Sequence, residues 1–269
     1  MSLDRRFLDL GEGFSSRRVR AAFLVTLGVV LFLYPFGIAF VAGGLLPERF
    51  SWTASVIIAL NGIVVLLSEL RAVPTARALT TFAFLVGLLF AVEYLGSRTG
   101  VPFGRYSYTD ALGLTLAGVP PVIAVAWYGT VVCSWRIVQK TAPQARRWLK
   151  AVLAGLLAVA LDVVLEPVAA AVEHYWLWEG GSVPLQNYLS WFAFTFVAVL
   201  VLERPGTSMP NRELVHSAVL ILGLQWTLFV LTNLVHGFVL PVLASILLLV
   251  VVAGGARSSV TRPREARTP

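Results

Sequence analysis

The stretch AVLAGLLAVALDVVLEPVAAAVEHYWLWEGG, residues 151–181, decides the fold because its apolar run is long enough to cross a bilayer. Acidic residues interrupt this run. A helix of about 20 apolar residues spans roughly 30 Å of hydrocarbon. Asp162 falls near the middle of the run, and Glu166 follows one turn later beside Pro167. A charged group at that depth costs roughly 3 kcal/mol or more. The stretch therefore predicts a transmembrane helix whose acids have a function.

The composition extends this prediction to the whole chain. Of 269 residues, 58% are hydrophobic and only 13% charged, against about 25% charged in ordinary soluble domains. This excludes a soluble domain, a disordered chain and a disulfide scaffold, since Cys133 is the single cysteine. We predict an all-α, polytopic transmembrane helix bundle. The expected spans are 21–45, 52–70, 76–96, 113–135, 149–172, 185–202, 214–235 and 237–254.

The distribution of basic residues predicts the orientation. Five precede the first span, two, five and two lie in alternate connections, and four lie in the tail, so 18 of the 21 share one side. The positive-inside rule then places both termini in the cytoplasm of a protein of the cell membrane. The net charge of +7 thus indicates topology and anionic lipid, with no nucleic-acid partner.

The chain divides into three parts. Residues 1–20 are expected to be a basic cytoplasmic segment, 21–254 a single helical domain, and 255–269 a basic, disordered tail. Gly237 and Pro241 interrupt the last apolar stretch, which leaves seven spans as an alternative to eight.

The acids of the fifth span are expected to share one helix face. At about 100° per residue, Asp162, Glu166 and Glu173 fall within an arc of about 40°. Pro167 also removes a backbone hydrogen bond to the carbonyl of Val163. The pattern predicts an acidic stripe that runs towards the outer surface.

Other spans carry polar residues at similar depths: Asn61, Glu93, Asn187 and Asn233. Neighbouring carboxyl groups in a medium of low dielectric share protons, and a group that stays neutral near pH 7 suits acid catalysis or a proton relay. The alternative is that these residues only bond neighbouring helices.

The outer loop EYLGSRTGVPFGRYSYTDALG, residues 93–113, is expected to cover this site as a lid. Its glycines and proline favour fixed turns, and Arg105, Tyr106, Tyr108 and Asp110 supply polar groups. The alternative for its tyrosines, and for the tryptophans of 176–191, is an aromatic belt at the membrane interface.

Several chemistries lack their motifs. The sequence has no Asp-rich diphosphate motif, no Walker loop, no dinucleotide fingerprint and no nucleophile elbow, and its three histidines lack metal-site spacing. We therefore expect neither a metal nor another cofactor. A hydroxyl group made here would come from water.

Four motifs point to a family. The loop of 93–113, the following GVPPVIAVAWYG, the span ALDVVLEPVA and one downstream segment that begins with YWLWEGG and ends with VPLQNYLSWF occur in this order. Together they resemble the membrane-integral carotenoid 1',2'-hydratases of the CruF type, which are related to bisanhydrobacterioruberin hydratases. The resemblance covers about residues 60–240.

The resemblance implies addition of water across the terminal double bond of an acyclic carotenoid, such as γ-carotene, lycopene or a fifty-carbon relative. The product is a tertiary alcohol, and no cofactor is needed. The substrate enters from membrane lipid, and other carotenoid-pathway enzymes are possible partners. Alternatives are a cyclase-like enzyme, which excludes water, and a proton-coupled transporter or lipid-binding protein.

Chemistry and depth assign the roles. Asp162 is the leading acid, and Glu166 or Glu93 is the base, although these roles are interchangeable on sequence alone. Protonation of the double bond leaves a positive charge on the substrate, and the faces of aromatic rings stabilise such a charge. The candidates for that role are Tyr106, Trp127 and Trp191. The remaining candidates for substrate binding are Asn61, Arg105, Tyr108, Asp110, Glu173, Asn187 and Asn233.

Overall fold

Long apolar runs form helices because backbone polar groups in hydrocarbon must find partners within their own segment. The computed structural model describes residues 3–204, 207 and 209–261. The helices are α1 (Leu3–Ala42), α2 (Thr53–Ala72), α3 (Thr75–Thr99), α4 (Pro121–Thr141), α5 (Arg147–Pro167), α6 (Leu185–Leu202), α7 (Arg212–Val235) and α8 (Val239–Thr261). Within the described residues, eight helices are long and apolar enough to cross a membrane. The helical bundle is confirmed, and its sidedness stays a prediction.

The last hairpin forms two spans, so the seven-span alternative is wrong. Gly237 has a φ of 78°, a left-handed conformation that suits glycine and reverses the chain after α7. Pro241 falls in the first turn of α8, where a missing N–H costs no helical hydrogen bond. The two residues that interrupt the apolar stretch therefore make the turn between helices.

Two predicted span boundaries are wrong. The first span agrees with the prediction, since the membrane-competent part of α1 is Arg17–Ala42 against 21–45, although the helix itself begins at Leu3 and the basic segment is largely helical. The fourth begins at Pro121 instead of 113, because the preceding Pro120 is held in an extended conformation. The eighth continues through Thr261, so the tail expected to be disordered is helical over 255–261. Residues 262–269 lie outside the described part.

Helices α4 and α5 form the centre of the bundle. Most of each span is buried, 72% in both, against 11% for α1. Small residues permit this close packing. A Cβ at Gly62 of α2 would lie 2.2 Å from the Val125 side chain, and one at Gly155 of α5 would lie 2.8 Å from Phe192. Functional groups on α5 are therefore surrounded by other helices.

Two connections meet over one end of the bundle. Strand β1 (Tyr106–Tyr108) pairs antiparallel with β2 (Trp176–Trp178), with Tyr106 opposite Trp178 and Tyr108 opposite Trp176. Alternate side chains of a strand point to the same face, so two tyrosines and two tryptophans share one face of this small sheet. We call residues 100–120 and 173–184 the cap.

A buried ionic network joins the helices at the end away from the cap. Arg136 of α4 donates to Glu69 of α2, with 2.8 Å between Nε and Oε1, and to Gln139. Glu203, just after α6, accepts from Gln139 at 2.9 Å and from Lys150 of α5 at 2.6 Å. Because each of these charges has an opposite partner, its desolvation is offset, and removal of one partner would leave the other uncompensated.

Candidate active site

A cavity of about 740 Å³ lies beneath the cap, between α1, α2, α4, α5 and α7. Its wall is mostly apolar, as expected of a site for a hydrophobic ligand. The carboxyl and amide side chains that line it are Asn61, Glu93, Asp162, Glu166, Glu173, Asn187 and Gln225. The cavity therefore brings together six of the site residues predicted from the sequence. They are the four acids Glu93, Asp162, Glu166 and Glu173 and the two amides Asn61 and Asn187.

Asn187 joins the two acids of α5. Its side-chain nitrogen donates to Asp162 Oδ2 at 3.2 Å and to Glu166 Oε1 at 3.0 Å. All three side chains are buried, with 1 to 3% exposure. The helix geometry brings this about, because residues one turn apart on α5 present their carboxyl groups to the start of α6.

The cap supplies two further donors to Glu166. The indole nitrogens of Trp176 and Trp178 each donate to Oε2 at 3.1 Å. The interpretation of these tryptophans as belt aromatics is therefore wrong. The alternation Trp-Leu-Trp places both indoles on one face of a strand, but the sequence alone does not indicate that this face meets Glu166.

A matching pair of phenols holds Glu93. The Tyr106 and Tyr108 hydroxyls both donate to Glu93 Oε2, the latter at 2.6 Å. Burial raises the pKa of both hydroxyls, and the nearby Glu93 charge raises it further, so they remain donors. Gly96 permits the cap to pack closely against α3, because a Cβ at this position would lie 2.5 Å from the Phe103 ring and 3.3 Å from the Tyr106 hydroxyl.

Aromatic rings line the cavity beside the acids. The Trp127 and Trp191 rings stack with 3.5 Å between centroids and an interplanar angle of 11°. Phe103 stacks on Trp191 at 4.8 Å. The ring faces and edges that the stack leaves free line the cavity, and an uncovered aromatic face attracts positive charge, so this wall suits a carbocation.

Glu173 also reaches the cavity, although the predicted regular stripe is wrong. The α-helix ends at Pro167, and the next turn, Val168–Val172, is a π-helix. The Glu173 amide donates to the Val168 carbonyl at 2.8 Å, which changes its angle relative to Asp162. Burial raises the pKa of the Glu173 carboxyl. It is half-buried, nearer to water than the acids of α5.

Three predicted substrate contacts lie outside the cavity lining. The Arg105 side chain is 74% exposed and pairs with Glu179 at 3.7 Å, and Asp110 is exposed at the start of a 3₁₀ turn. Asn233 is buried, but it donates to the Val164 carbonyl at 2.6 Å and so holds α7 against α5. Polarity in the sequence does not distinguish a residue that faces the cavity from one that faces solvent or a backbone carbonyl.

Fold and site together define a helical membrane protein that encloses acids within an apolar cavity. The family model described as carotenoid biosynthesis protein matches residues 53–252. The chain therefore belongs to the carotenoid biosynthesis protein family, and the resemblance to membrane carotenoid hydratases is confirmed.

One curated relative is bisanhydrobacterioruberin hydratase of Haloarcula japonica, which is 32% identical over 123 residues. The alignment covers 42% of this chain and 41% of that protein. No solved structure matches the chain. The likeness is thus to a hydratase, over less than half of either chain.

Proposed function

We propose that the protein is a carotenoid 1',2'-hydratase of the cell membrane. It adds water across the terminal double bond of an acyclic carotenoid end and yields a tertiary alcohol. The observation that carries this proposal is the cluster of three buried carboxyl groups beside stacked tryptophans in an apolar cavity. Membership of a carotenoid biosynthesis family and the hydratase relative support it.

The acid is Asp162. Hydrogen bonds donated to a carboxylate stabilise its charged form. Glu166 accepts three, from Asn187 and the two indoles, and Glu93 accepts two from phenols. Asp162 accepts one, and its Oδ1 has no partner among the described groups. It therefore keeps its proton most readily. The proton goes to the CH carbon of the double bond, whose electron pair forms the new C–H bond.

The positive charge then develops on the tertiary carbon of the substrate end. The rings of Trp127 and Trp191 stabilise it, since a cation over an aromatic face gains about 0.5–2 kcal/mol. A water molecule attacks this carbon and forms the C–O bond. Glu166 takes the proton that the water loses, so the reaction consumes one water and no other reactant.

The position of Asn187 couples the two acids. Its one amide nitrogen contacts both carboxyl groups, so it holds Asp162 and Glu166 side by side, as two successive proton transfers at neighbouring carbons require. After each turnover Asp162 is ionised and Glu166 is protonated. A proton that returns from Glu166 to Asp162 restores the starting state.

The test is to make the chain in a host that accumulates lycopene or γ-carotene and to analyse the pigments by mass spectrometry. We expect a product heavier than its precursor by the mass of one water. Cells carrying Asp162→Asn serve as the matched control. A product of unchanged mass with a new ring would identify a cyclase instead. Unchanged pigment that purifies with the protein would identify a carotenoid-binding protein.

A further inference from the structure

The cavity wall is weakest where α1 forms it. Only 11% of the α1 span is buried, and several side chains of α1, the following connection and α2 line the cavity and remain largely accessible. These rim residues are Phe36, Phe40, Leu45, Phe50, Trp52 and Val56, with 42 to 65% exposure. We call the gap that they border the portal.

The chemistry of the rim indicates what passes through it. All six side chains are apolar and belong to membrane-spanning helices or to the connection between them. A ligand that moves through this gap from the hydrocarbon of the bilayer meets these apolar side chains, and the nearest charged group at the rim is Arg49, whose guanidinium lies 4.9 Å over the Phe50 ring. A water-soluble ligand would gain nothing from such a surface. The portal therefore fits a hydrocarbon.

The backbone of α1 is loosened at the same place. Pro35 lies inside the helix, where proline removes a hydrogen bond and bends the axis. The preceding Tyr34 is anchored, since its hydroxyl accepts from Asn61 Nδ2 at 2.9 Å. Beyond the proline, a Cβ at Gly37 would lie 3.5 Å from Ile57 and 3.9 Å from Leu228. Pro35 therefore interrupts the hydrogen bonding of α1 beside the portal, between the anchored Tyr34 and the close packing at Gly37.

We infer that the portal is the lateral access route for the substrate, which enters from lipid with its reacting end first. This inference rests on the proposed function. A carotenoid is about as long as the hydrocarbon core is thick, roughly 30 Å. Its reacting end must reach the carboxyl groups of the protein, which lie inside the cavity beneath the cap. The unreacted end therefore stays in the portal and the bilayer while the other end is hydrated.

The main test narrows the portal from both sides. Gly37→Leu adds bulk on α1 and Val56→Trp adds bulk on α2. Matched controls are Gly28→Leu, where a Cβ meets nothing within 4 Å, and Ile63→Trp, which like Val56 is 43% exposed but does not line the cavity. All four are assayed in lipid vesicles that contain the carotenoid.

We expect the portal variants to lose roughly tenfold in kcat/KM with a smaller change in kcat, because access precedes chemistry. The controls should stay near wild type. Portal variants that match their controls in kcat/KM would overturn the inference.

A second measurement needs no variant. A carotenoid analogue with a photoreactive group at its unreacted end is bound to the wild-type protein and irradiated. Labelling of residues 36–56 supports the portal, whereas labelling confined to the other helices refutes it. Hydration by the wild type is measured first in the same vesicles. A wild type that binds and labels but does not hydrate would contradict the proposed function and leave the portal supported.

Discussion

Replacing Asp162 by Asn removes a donatable proton while it preserves the size of the side chain. The residue is 1% exposed, and Asn187 donates to its Oδ2 at 3.2 Å. The carbonyl oxygen of an Asn at this position can accept the same bond. The added N–H₂ group takes the place of an oxygen that has no described partner, which costs about 1–3 kcal/mol of stability if it stays unpaired.

The effect on the rate is expected to be larger than the effect on stability. A positioned general acid contributes about 10²- to 10⁴-fold, which corresponds to about 3–5 kcal/mol of the barrier. Asp162→Asn should therefore insert, purify and melt as a folded protein while it loses a factor in that range. The matched control is Glu173→Gln, a change of the same kind at a half-buried carboxyl, which should lose much less.

The assay is hydration of carotenoid in vesicles, with product measured by mass spectrometry and folding by thermal unfolding. A folded Asp162→Asn protein with near-normal hydration would refute Asp162 as the acid. Glu166→Gln and Glu93→Gln then identify which carboxyl donates. If Asp162→Asn does not fold, Asp162→Glu separates the roles, because it keeps the proton but moves it by about one C–C bond.

Three further outcomes are expected. Tyr108→Phe removes one of two phenols that donate to Glu93 and should lower hydration roughly tenfold without loss of folding, whereas an unchanged rate would leave Glu93 outside the chemistry. Arg136→Gln leaves a buried acid unpaired and should cost about 3–5 kcal/mol of stability, measured by unfolding in detergent; an unaltered melting temperature would contradict the role of the network. Single cysteines at Arg105 and Val260 should be labelled from opposite sides of the membrane, and labelling from one side would contradict the predicted topology.

Much of the fold could be predicted because the bilayer constrains it so strongly. Apolar runs of sufficient length must be helices, and their number was correct. Local backbone chemistry was harder to predict from hydropathy. Pro120 and Pro121 begin α4 later than the apolar pattern implies, and the π-turn after Pro167 changes the angle of the helix face that reaches Glu173.

The site was predictable where burial is costly. Asp162, Glu166 and Glu93 stand out because an acidic side chain in an apolar span is energetically costly and is usually functional. The structure brings all three into one cavity. Their donors were less apparent. Trp176 and Trp178 reach Glu166 only because β2 pairs with a strand far away in the chain, and a single sequence does not reveal such a contact.

For the polar residues of the loop 93–113, the sequence did not distinguish those that line the cavity from those that face solvent. Arg105 and Asp110 were predicted to bind substrate because they are polar in an apolar protein, yet both are exposed. Tyr106 and Tyr108 of the same loop turn inward to Glu93, whereas Arg105 precedes the strand and Asp110 begins the 3₁₀ turn that follows it. The strand period decides which side chains face the cavity, and this strand is only three residues long, too short for its pattern to be recognised.

The source of the oxygen in the product tests the central claim most directly. Purified protein in vesicles is given an acyclic carotenoid in water enriched in heavy oxygen, with and without molecular oxygen. A hydratase that uses the acids of this cavity should place the heavy oxygen in the product hydroxyl and work equally well without air. A hydroxyl that carries oxygen from the gas, or a reaction that stops in its absence, would contradict the account.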